Sequence, residues 1–211
     1  MSQHQFTNYR CVLALDPDEW PGEWEGLLDD FPALVSQRMK CWEDARELSL
    51  VGVGPDGGLI DEVLRFLEAV RVRQMPPPNG GVVFLDASGQ AFKTNWELSE
   101  CWAWHYVLKR IEREQAFQQC FPSEGLYIEV ERLANGVRLQ HIDYEHPLGV
   151  AGSRLDLAGV ILEDVGHFKV GLHRTLSYLH AVAERATRTG RSEAFESAFG
   201  VAPQDDKSDA G

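Results

Sequence analysis

The chain has 211 residues, with 20 Lys plus Arg against 33 Asp plus Glu, so its formal net charge is −13. Hydrophobic residues make up 44% and charged residues 25%, a globular rather than disordered composition, and the length suits one domain better than two. The acidic balance argues against sequence-independent nucleic-acid binding, which needs Lys and Arg to neutralise phosphates, and favours cationic partners.

Residues 1–10 carry no apolar run behind a basic start, so no secretory signal is expected. The longest apolar runs, such as 82–85 and 160–162, fall far short of the ~20 residues that span a bilayer, so no membrane partner is expected. Cys11, Cys41, Cys101 and Cys120 form no C-x-x-C pair, which argues against zinc ribbons and thioredoxin-like redox sites. Scattered thiols without an export signal point to a reducing, cytoplasmic setting.

Along the chain, Tyr9, Cys11, Leu13 and Leu15 alternate with Arg10, Val12 and Ala14 and predict a first strand. Asp16-Pro17-Asp18 ends it, and Trp20, Trp24, Leu27, Leu28 and Phe31 follow at helical spacing, with Pro32 closing that helix. Residues 33–53 read two ways: Val35, Met39 and Trp42 fit a helix, whereas 47–53 resembles a buried strand.

A helix is predicted over 59–73, with Ile60, Val63, Leu64, Leu67 and Val70 on one face and Asp61 and Glu62 complementing its dipole. Residues 76–81 end it, and 82–94 read as a hairpin in which Gly89 takes positive φ. A long helix from Thr94 or Asn95 towards Gln119 is apolar nearly all round in its first half, where Trp96, Leu98, Cys101, Trp102, Trp104, Tyr106, Val107 and Leu108 lie. Such a segment belongs in a core or an interface. A second hairpin spans 126–144 with Asn135-Gly136 at its turn, and the last third is helical on a Phe168, Leu172, Leu176, Leu179, Val182 stripe.

The expected fold is α+β: antiparallel sheet built from hairpins, packed with the Trp-rich central helix and a C-terminal helix. Residues 1–202 form one such domain, and 203–211 a disordered polar tail.

Four groups of residues bear on function. Gly52-Val53-Gly54-Pro55-Asp56-Gly57 matches G-x-G-x-x-G between a strand and a helix, the setting of a nucleotide loop, with Asp86 as a candidate ribose acid. Pro55 removes an amide there and Asp56 adds negative charge, so a plain strand-to-helix turn is the simpler reading. His141, Asp143, Glu145 and His146 are metal-ligand types on or beside one strand face, with Glu129 or Glu131 as an added oxygen donor. His141, Asp143 and His146 would form the core of a metal-dependent enzyme site. A solvated strand face is the competing reading, and no cofactor or metal is expected.

On the last long helix, His173, Ser177, His180 and Glu184 form a polar stripe and Asp164 sits three residues before His167, all read as solvated surface; His105 is read as a core histidine. No nucleophile elbow, Walker loop or other catalytic motif is present in the sequence, so an enzyme is not the leading expectation.

The fourth group is residues 16–30, with seven acids, two tryptophans and no Lys or Arg. Tryptophan anchors within a charged rim concentrate affinity and steer partners. Asp16, Asp18, Glu19, Trp20, Glu23, Trp24, Glu25, Asp29 and Asp30 are therefore the candidate surface for a basic protein. The leading expectation is a non-enzymatic acidic binding module, of the inhibitor or immunity type, that occludes a basic partner.

Overall fold

A computed structural model of the protein describes residues 4–16, 26–43, 46–56, 58–94, 97–113, 118–123, 126–144 and 154–203. The fold is α+β, with two five-stranded sheets.

The alternating segment at the start forms β2 (Tyr9–Leu15), preceded by the short β1 (His4–Phe6). β2 is the central strand of an antiparallel sheet ordered β3-β4-β2-β5-β6, with β3 (Arg38–Glu43), β4 (Arg46–Gly54), β5 (Gly80–Asp86) and β6 (Ala91–Lys93). The two faces of β2 serve two clusters, as the pleat requires. Tyr9, Cys11, Leu13 and Leu15 enter the main core, while Ala14 joins Leu50, Val83, Leu85 and Ala91 in a small cluster against Met39. Edge strands β3 and β6 approach within 8 Å, so this sheet curls around the small cluster.

The second sheet is ordered β1-β10-β9-β8-β7, with β7 (Gln118–Ser123), β8 (Leu126–Leu133), β9 (Gly136–Tyr144) and β10 (Arg154–Glu163). It is antiparallel except at β1, which runs parallel to β10 and pairs His4 with Val160.

Five α-helices are described: α1 (Pro32–Val35), α2 (Ile60–Val72), α3 (Ala103–Glu112), α4 (Val165–Arg188) and α5 (Ser192–Phe199). In α4 the predicted stripe of Phe168, Leu172, Leu176, Leu179 and Val182 is buried, extended by Thr175 and Ala186. Strand β4 pairs with β2 only at residues 13–15, and α4 takes up carbonyls further along. His167 Nε2 donates to Tyr9 O at 2.6 Å and Thr175 Oγ1 donates to Cys11 O at 3.0 Å. Arg185 of α4 also holds Asp61 of α2 through two hydrogen bonds, which lowers the Asp61 pKa chiefly through those bonds.

Several expectations need correction. The long Trp-rich helix is two shorter pieces, a 3₁₀ turn (Leu98–Trp102) running into α3, and the chain is already a strand at Gln118. The change of pitch explains how so many apolar residues share one side. Side chains three apart eclipse in a 3₁₀ turn, so Leu98 and Cys101 align, and the α stripe of Trp104, Val107, Leu108 and Ile111 takes over. Tyr106 falls off that stripe and is exposed.

Pro32 opens α1 at its first turn, where the missing N–H costs nothing, after a short helical turn at 26–28. Met39 and Trp42 lie on β3, so the helical option there fails and the strand option for 47–53 holds in β4. The second hairpin turns at Ala134 and Asn135, with Gly136 already paired opposite Leu133. Strand β10 occupies residues assigned in part to the helical last third. Residues 204–211 lie outside the described part of the chain. Among the described residues, no helix is long and apolar enough to cross a membrane.

Candidate functional site

Of the acidic segment, Asp18, Glu19, Trp20, Glu23, Trp24 and Glu25 lie outside the described residues. Its two ends are in view and differ sharply. Asp16 is fully buried and ion-paired with Lys93, which is buried on β6 at the edge of the same sheet, so Asp16 is a core residue and not part of a docking surface. A buried charge is tolerable only when paired, and Lys93 supplies the pair. Asp29 and Asp30 are exposed, and Asp30 meets Arg73, just past α2, at 3.3 Å.

The strand pairing divides the candidate metal set. His141 stands opposite Ile128 and shares the core face of Val137 and Leu139. There its ring stacks on Phe92 with centroids 4.7 Å apart, and Nε2 donates to Lys93 O at 3.0 Å. Glu129 and Glu131 stand opposite Gln140 and Arg138, on the other face of the same pair of strands, and cannot converge on His141. Glu131 is bonded to Arg138. Asp143 lies on β9, and Glu145 and His146 lie outside the described residues. Among the described residues, no group of three or more His, Cys, Asp or Glu side chains is placed to hold a metal ion.

The glycine-rich loop is likewise explained by packing. A Cβ at Gly54 would collide with the Tyr178 ring, and one at Gly52 with the Met39 methyl group. Those glycines admit the protein's own side chains, where a nucleotide loop would admit a pyrophosphate. Asp56 is spanned by Arg10 at 3.4 Å and Arg174 at 3.5 Å, and Gly57 lies outside the described residues. Asp86 closes the first hairpin, accepting from the amides of Ser88 and Gln90, so it is a turn residue. That turn has Gly89 at φ 87°.

On α4, Asp164 caps the helix by accepting from the His167 amide at 3.1 Å. His173 and Ser177 bond one another on an exposed face. His105 is only half-buried, beside the exposed Tyr106. His180 is half-buried and Glu184 is exposed as expected, and α5 with the segment after it rises beside them. Together they enclose a cleft of about 290 Å³ lined by His180, Ala183, Glu184, Phe195, Glu196 and Ala202, among others. The spacing of His180, Ala183, Glu184 and Thr187 marks one face of α4 in the sequence. The partner wall from α5 is a tertiary fact that the spacing does not contain. No protein-family model, curated protein or solved structure matches this chain.

Proposed function

We propose that this protein is an acidic, non-catalytic binding module that docks a basic protein and occludes it, as an inhibitor does. One observation carries the reading. Residues 18–30 hold six acids and no Lys or Arg, on a chain of net charge −13, and the described end of that segment presents Asp29 and Asp30 to solvent. Arg73 is the cation bridged to Asp30, and it is itself half-exposed. Such a surface accelerates encounter with a positively charged partner and repels nucleic acid. A reducing, cytoplasmic setting belongs to the proposal, and the buried thiols of Cys11 and Cys101, neither in a disulfide among the described residues, suit it.

The test is capture from native lysate at low and high salt, with the wild type beside a variant neutralised at Asp18, Glu19, Glu23, Glu25, Asp29 and Asp30. The expected result is a basic protein retained at low salt, released at high salt and absent from the variant. Retention that ignores both salt and the substitutions would overturn the reading.

A further inference from the structure

The geometry points to the cleft between α4 and α5 as a receptor for one arginine side chain of the basic partner. This inference rests on the proposed function for the nature of the partner, but its site shares no residue with the acidic segment.

Three observations meet there. The cleft holds about 290 Å³, near the lower end of small-ligand sites, and that is ample for a single long side chain. Its walls include the apolar surfaces of Ala183, Phe195 and Ala202, which suit the methylene stem of an arginine. Glu184 from α4 and Glu196 from α5 bring two exposed carboxylates, and neither makes an ion pair or side-chain hydrogen bond with any described residue. Other surface acids that face these helices or lie on them do find cations: Asp61 of α2 has Arg185 of α4, and Glu193 of α5 has Arg71 of α2.

The chemistry favours a guanidinium over a metal ion. His180, Glu184 and Glu196 do not form a metal-binding group, so a small spherical ion has no convergent ligand set. A planar guanidinium spreads its donors over several ångströms and can serve two separated carboxylates. Phe195, 3% exposed and stacked on Phe199 with ring centroids 5.0 Å apart, lines the wall as apolar surface for the stem. Behind it lies Trp102, 6% exposed, with ring centroids 4.9 Å from His180 and 6.4 Å from Phe195.

The experiment titrates the full chain with the capped peptide acetyl-Gly-Arg-Gly-amide and with its citrulline counterpart, which has the same shape and no charge. Nuclear magnetic resonance or calorimetry reads the affinity. The arginine peptide is expected to saturate at roughly millimolar concentration, as befits one side chain in a small cleft. Loss of the charged hydrogen bonds should weaken binding about tenfold or more for the citrulline peptide and for the Glu184→Gln/Glu196→Gln variant. Ala183→Trp, which fills the cleft, should abolish it.

Both glutamates are exposed, so their substitution leaves the fold intact, and unfolding midpoints check this. Equal binding of the citrulline peptide, unchanged affinity in the double variant, or no saturable binding by the wild type would each overturn the assignment. So would zinc or calcium raising the melting temperature and displacing the peptide. Asp29→Asn/Asp30→Asn should leave the peptide affinity unchanged. A loss there would assign the peptide to the acidic segment and overturn the cleft, whereas salt-insensitive lysate capture with peptide binding intact would sink the proposed function alone.

Discussion

The backbone of Gly54 lies directly against the phenol ring of Tyr178, so that strand β4 and helix α4 touch where any side chain at position 54 would hold them apart. Gly54→Ala should therefore destabilise the protein by about 1–3 kcal/mol through overpacking. Tyr178 offers the complementary check. Its hydroxyl is buried without a partner among the described residues, and burial alone pushes its pKa upward. Tyr178→Phe should then be neutral or slightly stabilising, because an unsatisfied polar group is removed while the ring contact remains. Urea unfolding of both variants reads the outcome. A Gly54→Ala protein as stable as wild type would mean that the two elements can separate at no cost.

The pair Asp16 and Lys93 invites a second prediction. Both side chains are buried and joined across the end of the curled sheet. Asp16→Asn or Lys93→Met alone should cost about 3–5 kcal/mol, since each removes one partner of a buried ion pair and leaves the other charge inside. Asp16→Asn combined with Lys93→Met should cost much less than the sum of the two single substitutions, because no buried charge then remains. Unfolding midpoints of the singles and the double form the cycle. Simple additivity would show that the two groups are not coupled.

These two relationships also show how far the sequence could be read. Strand β2, helices α2 and α4 and the first hairpin were legible because local periodicity and turn chemistry specify them: Tyr9 to Leu15 alternate, the α4 stripe repeats at helical spacing, and Gly89 has the positive φ its turn needs. Strand β3 was not legible because Val35, Met39 and Trp42 fall at helical spacing, although Met39 packs against a sheet. Strand β1 was missed because its pairing joins residues more than 150 positions apart, as at His4 and Val160. The candidate sites divide in the same way. Asp16 looked like surface because it begins an acidic run, and only the placement of Lys93 shows why it is inside. The stripe holding His180 and Glu184 was visible, whereas the wall that makes it a cleft comes from α5 packing back on α4.

Cys11 supplies a chemical prediction. Its thiol is fully buried, and burial pushes its pKa up to about 12, with the Thr175 hydrogen bond opposing and the Asp56 charge reinforcing the shift. The reactive species is the thiolate, so at about pH 8 the folded protein should leave Cys11 unlabelled by iodoacetamide. Cys101, buried in the 3₁₀ turn, should be protected by exclusion as well. Mass spectrometry of digested samples should find both modified only after unfolding in denaturant. Rapid labelling of Cys11 in native buffer would show that the α4 contact over β2 opens readily.

The last prediction separates the core from the proposed docking surface through two tryptophans. Trp102 is 6% exposed and packs against both His180 and Phe195. Removing it deletes a large apolar group and leaves a cavity, so Trp102→Ala should cost roughly 3–5 kcal/mol. Because its Nε1 donor has no acceptor among the described residues, Trp102→Phe sacrifices no hydrogen bond and should retain more stability than the alanine variant. Trp20 lies in the acidic segment, where the proposed function makes it an anchor for the partner. Trp20→Ala should therefore change the urea midpoint little while weakening capture of the basic partner. The two measurements, taken on the same preparations, decide between roles. A Trp20→Ala protein that unfolds as readily as Trp102→Ala would place Trp20 in the core and reduce the acidic segment to a charged face without an anchor.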